Sequence, residues 1–247
     1  MFPIGDQNPT RTVPFVNYAL IAANIAVFVW QYILYATGGE AGMSADLALV
    51  PARFTANPLA GLGMLFTSMF MHGGWGHLGG NMLYLYIFGD NVEDAMGHVR
   101  YALFYLACGV GAALAQVGMD PSSTIPMVGA SGAIAGALGG YLVLYPRAPI
   151  TVINPVPLLW LLIGLFVTLP AWLAIGSWFL MNLWNALTQP NGGGGVAFVA
   201  HVGGFIVGML SVRLVVRGRR PIDRGRWTGW RPPARSSWSA NSSRSWY

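Results

Sequence analysis

Charge is nearly absent from long stretches of this 247-residue chain, and that scarcity limits its folds more than any other feature. Charged residues make up 9% of the sequence and apolar ones 55%, far from the charged surface that a soluble domain of this size needs. The apolar residues gather into runs separated by short polar breaks, the pattern of a polytopic membrane protein. The runs cover residues 15–35, 75–88, 101–118, 131–145, 150–187 and 196–216. Residues 38–65 hold Glu40, Asp46, Pro51, Arg53 and Pro58, which suits a structured loop at the membrane surface better than a crossing. The run 150–187 exceeds the roughly 20 residues that one crossing requires. It contains Pro155, Pro157 and Pro170, so its length fits one span or two.

Charge asymmetry chooses between these counts. With six spans, Arg11, Arg100, Arg147 and the C-terminal tail share one side and only Arg53 lies opposite, which satisfies the positive-inside rule. Residues 152–168 are then an interfacial or re-entrant segment, and 169–187 form the fifth span. The expected architecture is an all-α, six-span bundle with a structured loop between the first and second spans. It divides into an N-terminal segment (1–12), a membrane core (13–217) and a tail (218–247), with both termini cytoplasmic. The start has no basic region leading into a short apolar run and a cleavage site, so the first run is expected to be an uncleaved anchor. The tail carries seven arginines against one aspartate. Its interleaved Trp227, Trp230 and Trp238 suit anionic lipid headgroups or a disordered segment, and nucleic acid is not an expected partner. Cys108 stands alone, which excludes a disulfide framework.

In this topology the second, fourth and sixth spans all run inward from the outer face, and each bears polar residues near its start. His77 and Asn81, Ser131, and His201 therefore fall at similar depth, the last two about 8 Å along their helices. A serine hydroxyl becomes a useful nucleophile only when a neighbouring base takes its proton, and His201 is the candidate base. His77 and Asn81 are four apart and share a helix face, as do His201, Gly204 and Gly208. Gly132, Gly136 and Gly140 form a ridge of small residues beside Ser131, which permits close helix approach. Taken singly, these are ordinary features: a packing serine, an interhelical histidine, an asparagine that joins helices. Four polar groups at one depth point to chemistry.

Rival chemistries fail on spacing. His72 and His77 are five apart with no carboxylate beside them, unlike a zinc-protease pair, so no metal or cofactor is expected. Asp90 has no second aspartate to face it. A small transporter would show mid-membrane carboxylates or arginines, or duplicated halves. Asp90, Glu93 and Asp94, near Arg100, read as a capping and anchoring group, and His98 reads as a loop residue.

Four blocks now stand in order: Phe70-Met71-His72, His77 with Asn81, Gly129-Ala130-Ser131-Gly132, and Ala200-His201-Val202-Gly203-Gly204. Through them the chain resembles the rhomboid family of intramembrane serine proteases over about residues 10–216. The resemblance implies a rhomboid-like bundle that hydrolyses a peptide bond in or near transmembrane segments of membrane-protein substrates. It implies Ser131 as nucleophile, His201 as general base, and His77, Asn81 and the Ser131 backbone N–H as the oxyanion hole. His72, Gly129, Gly132 and Gly204 would be structural residues near the site. Members often carry a tyrosine, stacked on the catalytic histidine, four residues after the serine; here that position is Ala135. No carboxylate is available to orient His201, which makes the expected pair a dyad. The presence of Ser131 and His201 together argues against a catalytically silent relative that only binds membrane helices. A prokaryotic inner membrane is the expected location.

Overall fold

The computed structural model describes residues 2–37, 46–154, 156–189 and 196–216. The basic tail and the glycine run 192–195 lie outside the described residues. Helix α1, Phe15–Ala36, follows Pro14 and has no cap of its own. Its start is capped from elsewhere: the Glu93 carboxylate accepts from the Val16 and Asn17 N–H groups at 3.0 and 2.7 Å. Asp94 accepts from the Thr12 N–H at 2.9 Å. The acidic group at 90–94 thus supplies negative charge at the N-terminus of the first helix, where the macrodipole favours it.

Helix α2, Trp75–Tyr84, runs through a π-turn, Leu85–Gly89, into α3, Asp90–Met96. Asn17 Nδ2 donates to the Leu85 carbonyl at 2.9 Å, giving a partner to backbone at the irregular turn. Residues 90–100, expected as a polar break, are therefore helical apart from Gly97. Its φ of +80°, open to glycine without steric penalty, turns the chain into α4, His98–Met119. His98 is the first residue of that helix, with Nδ1 facing Glu93, and not a loop residue. Helices α5, Ser131–Leu144, α6, Ala171–Thr188, and α7, Phe198–Val215, follow, and shorter helical turns lie within 51–70 and 157–163.

Three of the described helices, α1, α4 and α7, are long and apolar enough to cross a membrane. Helix α5 has 14 residues, about 21 Å, shorter than the roughly 30 Å hydrocarbon layer. Eleven of those residues are buried. Its neighbours are protein and not lipid, so it has no bilayer thickness to match.

The all-α expectation is corrected by a three-stranded antiparallel sheet, in the order β1 (Phe2–Asp6), β2 (Pro149–Ile153) and β3 (Phe166–Pro170). Residues 152–168 are the body of the β2–β3 hairpin. Ile150, Thr151, Val152 and Ile153 form a β-branched run behind Pro149, and such residues pack well on a pleated surface and are stiff in a helix. The Gln7 N–H donates to the Pro149 carbonyl at 3.0 Å, and the Tyr141 hydroxyl donates to Asp6. Residues 6 and 7 are thereby tied to the C-terminal end of α5 and the strand that follows it.

Helices α5 and α7 meet almost backbone to backbone. A Cβ on Gly204 would collide with the Gly132 carbonyl, one on Gly208 with the Gly136 carbonyl, and one on Gly139 with the Phe205 carbonyl. Gly140, expected on the same ridge as Gly132 and Gly136, faces Phe104 and Val212 instead. Small residues four apart let helices approach this closely. Gly208→Val is expected to lower the melting point in detergent by an amount equivalent to about 1–3 kcal/mol of overpacking. Gly176→Ala on α6, where an added Cβ meets nothing within 4 Å, should leave it unchanged. Equal melting of the two variants would contradict the close contact.

Candidate active site

Ser131 opens α5, and the loop before it is held from two sides. Met127 and Leu49 exchange backbone hydrogen bonds of 2.7 and 3.1 Å, and the Gly129 N–H donates to the Ser68 carbonyl at 2.9 Å. Gly129 has φ +126°, a conformation that other residues rarely adopt. A Cβ there would lie 2.8 Å from Cε1 and Nε2 of His77. The N–H groups of the first turn of α5 have no acceptor within the helix, so the positive end of its dipole lies at the Ser131 hydroxyl.

His201 sits in the first turn of α7. Its Nε2 is 2.8 Å from Ser131 Oγ, and its Nδ1 is 2.8 Å from Asn182 Oδ1 on α6. Asn182 Oδ1 can only accept, so Nδ1 carries the ring proton and Nε2 is the lone pair that receives the serine hydroxyl. The Trp178 ring lies over the imidazole, with centroids 5.8 Å apart and planes at 32°.

Two groups from α2 face the serine. The Gly73 N–H donates to His77 Nδ1 at 3.4 Å, which leaves Nε2–H directed towards Gly129. Asn81 is buried, and its Nδ2 has no hydrogen-bond partner. A Cβ on Gly129 would lie 3.6 Å from that nitrogen. A buried donor without an acceptor is costly, so Asn81 Nδ2 marks a place for one. His72 lies behind His77, with ring centroids 5.2 Å apart, and its N–H donates to Gln31 Oε1 at 3.1 Å. Burial, with His77 as a second cause, lowers the His72 pKa to about 4, so this ring is a neutral buttress. Ser131, His201, His77, Asn81, Gly129 and Trp178 line one cavity of about 700 Å³.

The residues singled out in the sequence therefore fall together. Gly132 and Gly204 form the helix contact beside the cavity, and His72 stands one ring behind it. Asn182 and Trp178 were not singled out. Their signal was present: a carboxamide four residues after a tryptophan, hence on one face, inside an apolar run. Ala135 is fully buried in the core, and the aromatic partner of His201 comes from α6.

A Rhomboid domain profile matches residues 60–218, well over half of the chain and all of α2 to α7. The chain belongs to the rhomboid family. Among its rhomboid relatives, Rhomboid protease AarA of Providencia stuartii is 30% identical over 212 residues, which cover 79% of this chain and 70% of that protein. Rhomboid protein 1, mitochondrial, of Saccharomyces cerevisiae is 29% identical over 223 residues, 85% of this chain. Rhomboid protease GluP of Bacillus subtilis is 35% identical over 146 residues, 56% of this chain. This rhomboid chain spans 58% of the yeast protein's length and 27% of GluP's. The family makes it an integral membrane protein. The names of its relatives include mitochondrial and chloroplastic forms, so membership fixes a membrane without fixing which one.

Gly129→Ala tests the geometry around the serine. The strained φ and the displaced His77 ring should slow labelling of Ser131 by a serine-directed phosphonate by about tenfold or more. Labelling at the wild-type rate would show that neither the turn nor the ring position matters.

Proposed function

We propose that this rhomboid is an intramembrane serine endopeptidase that hydrolyses a peptide bond near the outer end of transmembrane segments of other proteins. The observation that carries the reading is the 2.8 Å contact between His201 Nε2 and Ser131 Oγ, beside an unpartnered amide donor on Asn81. His201 takes the proton of Ser131 as Oγ attacks the substrate carbonyl. The oxyanion is received by the Ser131 N–H, His77 Nε2–H and Asn81 Nδ2–H, donors that are already in place before charge develops. His201 then protonates the leaving amine, and water, with His201 again as base, releases the acyl group from Ser131. A substrate helix must unwind locally to present its carbonyl, which favours small or helix-destabilising residues at the cut.

The charge distribution supports a six-span arrangement with both termini in the cytoplasm. The continuous α2–α3 rod from Trp75 to Met96, helix α6, and helix α5, which alone is shorter than a free-standing span, then count as crossings beside α1, α4 and α7. A prokaryotic inner membrane and contact of the tail with anionic headgroups belong to the same proposal.

Ser131→Ala and His201→Ala are each expected to abolish cleavage of a single-span substrate in proteoliposomes while melting stays nearly unchanged. Asn81→Ala should lower turnover by roughly 10 to 1000-fold, with little change in KM. Cleavage above a few per cent in either of the first two would sink the dyad. An Asn81→Ala variant that is fully active but melts earlier would make Asn81 a packing residue.

A further inference from the structure

His201 carries a second hydrogen bond, and its partner has a defined orientation. Asn182 is 3% exposed, and its two amide atoms are committed in different directions. Nδ2 donates to the Trp178 carbonyl, one turn earlier on α6, at 2.8 Å, so Oδ1 must be the atom that faces His201 Nδ1, also at 2.8 Å. The same turn of α6 lays the Trp178 ring over the imidazole, and Phe198 meets it edge-on at 6.4 Å from the other end of the α7 turn. The ring is thus fixed in plane by two aromatics and in tautomer by one carboxamide.

We infer that Asn182 is a positioning residue for His201, and that the working unit is a Ser131–His201–Asn182 relay of contacts drawn from three helices. The inference rests on the reading of Ser131 and His201 as nucleophile and base. By accepting the Nδ1–H, Asn182 keeps the Nε2 lone pair aimed at Ser131 Oγ. When the serine proton moves to Nε2, the Nδ1 proton stays on the ring, and the bond to Oδ1 becomes charge-assisted and stronger. A carboxamide does this without placing a second ionised group in a helix that the bilayer surrounds, where a carboxylate would be expensive to bury.

The test compares the full-length protein with Asn182→Leu, of similar size but unable to accept, and Asn182→Asp, which accepts and adds charge. Phosphonate labelling of Ser131 and cleavage of a single-span substrate are followed from pH 5 to 9. Asn182→Leu should label and turn over about 10 to 100-fold more slowly, with KM little changed, because loss of the group that fixes the tautomer removes correctly aimed base. Asn182→Asp should recover rate relative to Asn182→Leu. Its acid limb should move to higher pH, because a carboxylate beside Nδ1 stabilises the imidazolium and delays release of the base form. Wild-type rate and pH profile in Asn182→Leu would overturn the inference, and so would equal slowing of both variants with an unmoved profile, the mark of a packing role. Absence of labelling in the wild type would instead overturn the Ser131–His201 reading on which it stands.

Discussion

The close contact between α5 and α7 is the constraint on which the rest depends. Helices in lipid gain nothing from hiding apolar surface from one another, so they associate through packing and hydrogen bonds, and small residues let the backbones approach. Here Gly204 lies against the Gly132 carbonyl and Gly208 against the Gly136 carbonyl. Gly132 follows Ser131 directly, and Gly204 lies three residues beyond His201, so the point of nearest approach is also where the Ser131 and His201 side chains emerge. A serine side chain is short. Any residue larger than glycine in that seam would separate the helices and take Oγ out of reach of Nε2.

The two ends of the bundle treat their polar groups differently. At the end away from the cavity, Glu93 and Asp94 accept from the start of α1 and from the residues before it, and Tyr141 donates to Asp6. These pairs hold the chain together. At the cavity end, the first-turn amides of α5 have no acceptor in their own helix and the Asn81 amide has no partner, while the backbone around them is pinned to the 46–70 segment. Rigid surroundings with unused donors are the conditions under which a developing negative charge is stabilised without reorganisation.

Much of this could be read from the sequence, for identifiable reasons. Scarcity of charge marked the membrane runs, and helical spacing put His77 with Asn81 and His201 with Gly204. Charge asymmetry set residues 152–168 apart from the spans, but the strands at 149–153 and 166–170 were missed because the run is apolar throughout, and only its β-branched composition and prolines pointed to extended chain. The acids at 90–94 were legible as a capping and anchoring group, but the stretch that holds them was taken as a polar break and not a helix, because the helix they cap, α1, lies more than 75 residues earlier in the chain. Asn182 was passed over because its role depends on which face of α6 meets α7. That is a tertiary fact, of which the sequence carried two traces: a carboxamide four residues after a tryptophan in an apolar run, and Ala135 in place of a tyrosine.

The most direct measurement is an experimental structure of the protein inhibited by a peptidyl phosphonate in lipid. The expected result is a phosphorus atom bonded to Ser131 Oγ, with the phosphoryl oxygen within hydrogen-bond distance of Asn81 Nδ2, His77 Nε2 and the Ser131 N–H. His201 should remain bridged to Asn182. An adduct on another residue, or a phosphoryl oxygen turned away from Asn81 and His77, would contradict the assignment of this cavity as the catalytic site.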